Sequence, residues 1–223
     1  MTTDQIFENL LELNQMAASE LIKTYFNESG KKNSLGFSKT RNGVVRVSEQ
    51  ELRFAMTNLF DTNNYAKLTY TVETPTEKDY SFRGAGRRSG SSDLSFYEDN
   101  LRILNIEHKA HNSSQVNFDK DIEKLVNEEC HGAWCHILKN EDSGTLKSIF
   151  NKLKIALKKH GCPKKPLYFS FLILKTRKLI TRKGLDSDLP DFDPDQIFNL
   201  RYADHHNIPV INKQIGDWQI NRY

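Results

Sequence analysis

Cysteine is scarce: Cys130, Cys135 and Cys162 are the only three among 223 residues. An odd, sparse set is unlike the dense even sets that staple small secreted domains, so reduced thiols are expected. Long apolar runs are missing too. No segment approaches the roughly 18 to 20 apolar residues that span a bilayer, which excludes a transmembrane reading. Met1-Thr-Thr-Asp-Gln lacks a basic region, and the stretch from Ile6 to Phe26 is broken by Glu8, Glu12, Glu20 and Lys23. That is no signal peptide, and a cytoplasmic protein is expected. Charge of one sign is not dominant either. A net charge of +3 is too small to demand a polyanionic partner.

What is present suits a soluble globular chain, with 37% hydrophobic and 27% charged residues. The length fits one domain. Residues 1–47 read as a helix and hairpin decoration, 48–175 as the core, and 176–223 as a C-terminal extension packed on it. The charges are unevenly placed. Gly144 to Lys165 holds seven lysines and no acid, and Asp186 to Asp195 holds five aspartates and no base.

Hydrophobic spacing supplies the elements. Ile6, Leu10, Leu13, Ala17 and Leu21 recur at helical intervals. Asn42-Gly43 marks a hairpin turn within Gly36 to Val47. Ser48 and Glu51 form a capping-box pattern ahead of the stripe Leu52, Met56, Leu59, Phe60. Tyr65 to Val72 reads as a strand that stops at Pro75, followed by a long polar, glycine-rich loop to Ser92. Asp93 to Tyr97 and Arg102 to Lys109 read as a hairpin turning at Glu98-Asp99-Asn100. Helices are expected at Asn117 to Glu128 and Thr145 to His160, and strands at Gly132 to Leu138 and Leu167 to Leu174. After Gly184 the pattern fades into irregular cover, with a short helix at Asp195 to Leu200. No internal repeat is visible.

The expected order of helix, three strands, helix and strand sets Asp93 at the start of one strand and Glu107-His108-Lys109 at the end of the next. Side chains alternate across a strand, so Glu107 and Lys109 share a face and His108 points away. Thirteen residues lie between Asp93 and Glu107, enough for two short strands and a turn to bring the carboxylates together. Adjacent carboxylates call for a cation, and hard oxygen donors with open water positions suit Mg²⁺. A lysine on the same face can orient an attacking water or help deprotonate it.

Asp93 followed by Glu107-x-Lys109 on the next strand resembles the PD-(D/E)XK nuclease superfamily, from Ser48 to Leu138. The resemblance implies an α/β fold with a mixed central sheet, an αβββαβ restriction-endonuclease-like core flanked by helices, and hydrolysis of phosphodiester bonds. It implies metal ligation by Asp93, Glu107 and the backbone carbonyl of His108, with Lys109 beside the nucleophilic water. Mg²⁺ is the implied cofactor and Mn²⁺ its substitute; the implied partner is nucleic acid, DNA favoured over RNA, and a homodimer is compatible.

Many members carry a glutamate on the preceding helix. Glu49 lies on the buried stripe and is the choice, because Glu51 has its capping role. The basic, glycine-rich stretch Arg83 to Ser92 resembles the approach to the first aspartate, with Arg87 and Arg88 as phosphate contacts. Gln115 and the pattern Asp119-Lys-Asp-Ile-Glu-Lys124 resemble members in which this helix flanks the site. Ser92 stands where the superfamily has proline.

Blander readings accompany these. Asp93 and Glu107 also fit a turn aspartate and a strand glutamate paired with Lys109, on a fold that binds nucleic acid or protein without catalysis. The lysines from Lys147 to Lys159 fit a solvated helix face. Cys130-His131, Cys135-His136 and His160-x-Cys162 invite zinc, but their spacing lacks a compact knuckle, and buried thiols are preferred. His205-His206 and the aspartate run match no calcium loop.

Overall fold

Thr2 opens the first helix. Its hydroxyl accepts from the Gln5 amide, and the Gln5 side chain accepts from the Thr2 amide, which satisfies two donors that a helix start leaves unpaired. In the computed structural model, which describes residues 1–28, 35–63, 65, 67–81, 86–140, 142–185, 213–215 and 218–223, this helix is α1 (Thr3–Tyr25). There follow α2 (Glu49–Asn63), β1 (Leu68–Ser81), β2 (Arg87–Glu98), β3 (Leu101–Ala110), α3 (Gln115–Asn127), β4 (His131–Leu138) and α4 (Ser143–His160). The last four are β5 (Leu167–Ile173), β6 (Lys178–Leu185), β7 (Lys213–Ile215) and β8 (Trp218–Arg222).

Among the described residues the strands form one mixed sheet in the order β1-β2-β3-β4-β5-β6-β8-β7. The β3–β4 and β4–β5 pairs are parallel and the others antiparallel. α3 and α4 are the crossovers that parallel neighbours require.

Alternation along β4 sorts the core into two layers. Ala133, Cys135 and Ile137 join the apolar faces of α1 and α2, while Trp134 and Leu138 join those of α3 and α4. Helices on both faces explain why every residue of β4 and β5 is buried and why β5 reads as a nearly unbroken apolar run. The fold is mixed α/β, with a sheet between helical layers.

Local chemistry fixes the turns. Asp99 and Asn100 both have positive φ, 48° and 68°, the backbone of a tight turn whose twist matches its flanking strands. Gly43 (φ 75°) turns the short hairpin bridged at Lys39 and Val45. The Ser48 amide and hydroxyl donate to Glu51 Oε2 at 2.7 and 2.5 Å, so Glu51 is engaged in opening α2.

Two expectations need correction. β1 does not stop at Pro75, and the stretch up to Ser92 is not a loop from end to end. β1 and β2 form a long ribbon, pairing through Pro75 with Ser91 and on to Ser81 with Arg87. β1 is an edge strand, where proline's missing N–H can be tolerated, and a register shift between Pro75 and Asp79 absorbs the irregularity.

The buried Glu128 carboxylate holds that shifted segment. It accepts from the Glu77 amide (3.0 Å), the Lys78 amide (3.3 Å) and the Tyr80 hydroxyl (2.8 Å). Nor is the chain after Gly184 irregular cover throughout: β7 and β8 add two strands to the sheet. β8 pairs with β6 from Lys178 with Arg222 to Arg182 with Trp218, a backbone ladder that needs little side-chain pattern. The expected helix at Asp195 to Leu200, the aspartate run, His205-His206 and Arg83 lie outside the described residues. No helix among the described residues is long and apolar enough to cross a membrane.

Candidate functional site

The site lies where two neighbouring strands part. The β2–β3 ladder runs from the turn to Leu94 with Ile106. Beyond it, β2 continues against β1 alone while β3 continues against β4, with Glu107 paired to Trp134 and Lys109 to His136. Such a fork leaves backbone groups without ladder partners, and buried backbone groups must be satisfied somehow. Side chains do it here. Asp93 Oδ2 accepts from the His108 amide at 2.7 Å, and Lys124 Nζ donates to the Ser91 carbonyl at 2.8 Å.

Strand alternation sends Glu107 and Lys109 toward α3 and His108 the other way, where its Nε2 lies 3.4 Å from Met56 Sδ. α3 answers with two charged residues set into its buried stripe. Glu107 Oε1 lies 2.7 Å from Lys124 Nζ, Lys124 lies 3.0 Å from Asp121 Oδ1, and Asp121 Oδ2 lies 2.8 Å from Lys109 Nζ. Glu107 is 1% exposed, Lys124 3% and Asp121 4%. The four form a continuous charge chain beneath the fork. Glu49, half-buried at the first turn of α2, feels the charges of Lys109, Asp93 and Asp121.

Protonation follows from burial and from these neighbours. Burial pushes the Glu107 carboxyl well above the carboxylate range, and Lys124 only partly counters it. Asp93 is raised by burial too, against the pull of Lys109 and the His108 N–H; Glu49 is also raised, chiefly by burial. Asp121 moves the other way: burial raises it, but Lys109 and Lys124 outweigh burial and hold it low. Burial lowers Lys109 and Lys124, yet the carboxylates around them leave both raised, so both are fixed ammonium ions. His108 is pushed down to about 3 by burial, Arg53 and Lys109, and stays neutral.

Of the residues singled out in the sequence, Asp93, Glu107 and Lys109 converge, with Glu49 within electrostatic reach. Arg87 and Arg88 stand elsewhere. They lie on the exposed far part of β2, opposite Ser81 and Tyr80, and Arg87 donates to the Asp79 carbonyl at 3.2 Å. Asp93 lies six residue steps along β2 from Arg87, roughly 20 Å at about 3.3 Å per step. Gln115 ties α3 to α4, donating to Asp119 (2.7 Å) and to the Lys152 carbonyl (3.1 Å). On α4, Lys152 donates to Asn112 and the Ser113 carbonyl and Lys159 pairs with Asp119. Cys130 and Cys135 are buried and Cys162 is exposed.

Asp121 and Lys124 belong to the site and were not picked out individually by sequence reasoning. Their signal is their position. Both fall among Phe118, Ile122 and Leu125 on the buried stripe of α3, where a charged residue needs a buried partner.

The donor set fits a hard divalent cation. Four carboxyl groups (Glu49, Asp93, Glu107, Asp121) face two ammonium groups; burial raises the first three, and once all four are ionised the cluster carries an excess of two negative charges. The next cation, Arg53, is already matched by Glu73 at 2.6 Å. No three Asp, Glu, His or Cys side chains among the described residues group as metal ligands; a cation here would rely on two carboxylates, a backbone carbonyl and water, a set that would suit Mg²⁺. No family model, curated protein or solved structure matches the chain.

Proposed function

We propose that the chain is a metal-dependent nuclease that hydrolyses phosphodiester bonds of DNA on a restriction-endonuclease-like core. The observation that carries this reading is the meeting of Asp93, Glu107 and Lys109 at the fork of β2 and β3. The order α2-β1-β2-β3-α3-β4, the same as the superfamily's αβββαβ core, supports it.

Asp93, Glu107 and the His108 carbonyl are the groups to hold Mg²⁺ or Mn²⁺, which when bound supplies Lewis-acid stabilisation of the phosphate and an activated water. Lys109 is kept protonated by Asp121 and Glu107, so it acts as a cation and hydrogen-bond donor that orients the water and screens charge developing on the phosphate. Asp121 is a positioning residue that sets the direction of the Lys109 ammonium. Glu49 adds a carboxylate at the rim. His108 stays neutral against Met56, and its role is that of its backbone.

A second reading is favoured by one observation: both ammonium groups are already matched by Asp121 and Glu107. A complete charge chain of this kind serves equally to rigidify a non-catalytic nucleic-acid-binding module. Incubating DNA and RNA with Mg²⁺ or Mn²⁺ separates the two. Metal-dependent cleavage of DNA is expected, with Asp93→Ala and Lys109→Ala each slowing it by about 10²-fold or more. Equal cleavage by all three proteins, or none by the wild type, rejects the nuclease reading.

A further inference from the structure

The nitrogen of Lys124 sits in a cage of oxygens. Glu107 Oε1 at 2.7 Å, the Ser91 carbonyl at 2.8 Å and Asp121 Oδ1 at 3.0 Å surround it, and the residue is 3% exposed. The ammonium donates a hydrogen bond to the Ser91 carbonyl and pairs as an ion with the two carboxylates, three oxygens for a group with three N–H donors. Each oxygen comes from a different element: Glu107 from β3, Ser91 from β2 and Asp121 from α3. The cage therefore exists only because β2 and β3 part beside α3. It adjoins the proposed metal position, since Glu107 belongs to both.

We propose that Lys124 is a built-in second cation of the site, holding the position that a second divalent ion takes in two-metal phosphodiesterases. This rests on the nuclease reading for its chemistry. Its geometry stands independently. Two divalent ions in such enzymes share a bridging carboxylate environment and together offset the charge of an oxygen-rich site. Here Glu107 has one oxygen against Lys124, and the cage's second carboxylate, Asp121, is shared with Lys109. A monovalent ammonium in this place leaves the two-charge excess of the cluster to be met by one divalent ion beside Asp93. The covalent tether makes the second cation permanent, so the protein takes one metal ion rather than two. Lys124 is in this sense a positioning residue: it fixes the Glu107 carboxylate and closes the second position.

The test is metal stoichiometry, measured without substrate by equilibrium dialysis with Mn²⁺ and by the electron paramagnetic resonance of the bound ion. The wild type is expected to bind one Mn²⁺ per chain and Lys124→Ala two, with spin coupling between neighbouring ions appearing only in the variant. Lys109→Ala, which leaves the cage filled, is expected to bind one. An alanine variant that binds no more metal than the wild type overturns the proposal, as does a wild type that binds two. Should the alanine variant lose its cooperative melt, Mn²⁺-soaked crystals of the wild type decide. An anomalous peak beside Asp93 and none between Glu107, Asp121 and the Ser91 carbonyl is expected, and a peak in the cage refutes it. Failure of the nuclease reading appears separately, as absent cleavage, and leaves the stoichiometry to be read in its own right.

Discussion

Asp121 touches two ammonium ions from one carboxylate, Lys109 with Oδ2 and Lys124 with Oδ1. Its replacement by asparagine keeps the shape and removes the charge, leaving both buried cations facing Glu107. Breaking a buried ion pair on one side costs about 3 to 5 kcal/mol, so Asp121→Asn is expected to lower the unfolding free energy obtained from urea melts by an amount of that order; an unchanged unfolding free energy refutes the charge chain. The pH sign follows from the low folded pKa of Asp121. Its stabilisation is present above the ordinary carboxyl range and is lost as pH falls through the folded value. Asp93, Glu107 and Lys109 were legible in the sequence because strand alternation is local and a short hairpin fixes their meeting. Asp121 and Lys124 were less so, because their role depends on which strands α3 covers. A charged residue three positions from Phe118 on an apolar stripe is the sign to look for.

At the scale of elements, Glu128 joins α3 to an edge ribbon. Its carboxylate accepts two backbone amides and a tyrosine hydroxyl, and Arg102 lies 3.5 Å away. Glu128→Ala orphans these donors and is expected to cost about 2 to 4 kcal/mol, with amide exchange quickening at Glu77 and Lys78 ahead of the rest of β1. Glu128→Gln, which keeps an acceptor oxygen, is expected to lose less; equal losses for the two would refute the acceptor role. The helices and the buried strands β4 and β5 were readable because each carries its own periodicity or apolar run. The outer half of the β1–β2 ribbon was not, since Pro75, Gly86 and Gly90 are loop residues by composition and the acceptors that hold Glu77 and Lys78 come from Glu128, some fifty positions on. β8 was hidden for a similar reason: its partner β6 supplies a ladder, and ladders are indifferent to side-chain identity.

For the whole molecule, Glu49, Asp93 and Glu107 have carboxyls raised chiefly by burial. Their folded pKa values lie above the unfolded ones, so the stability that protons lend them is full below the ordinary carboxyl range and is lost as pH rises through the raised values. On the proposed function, a divalent cation would take over from those protons. The rise in Tm on adding Mg²⁺ or Mn²⁺ is therefore expected to be larger at about pH 8 than at about pH 5, and most of it to disappear in Asp93→Asn. A metal-induced rise independent of pH, or equal in the variant, contradicts the placement of the cation beside these groups.

From β1 to β6 the strands lie side by side in the order in which the chain meets them. Each strand thus finds its partner across a modest stretch of chain, where loop closure is cheapest. α1 is different. Asn14 lies 3.4 Å from Ser170 across 156 residues, and Glu8 pairs with Lys183 across 175. Contacts so remote form late, so folding is expected to begin in the β2–β3 hairpin and finish when α1 closes over β5 and β6. In kinetic terms, Ala17→Gly should act almost wholly on the unfolding rate, with a φ-value near zero, and Ile106→Val should slow folding. Stopped-flow chevrons of the two variants would decide it, a φ-value near one for Ala17→Gly being the refuting outcome.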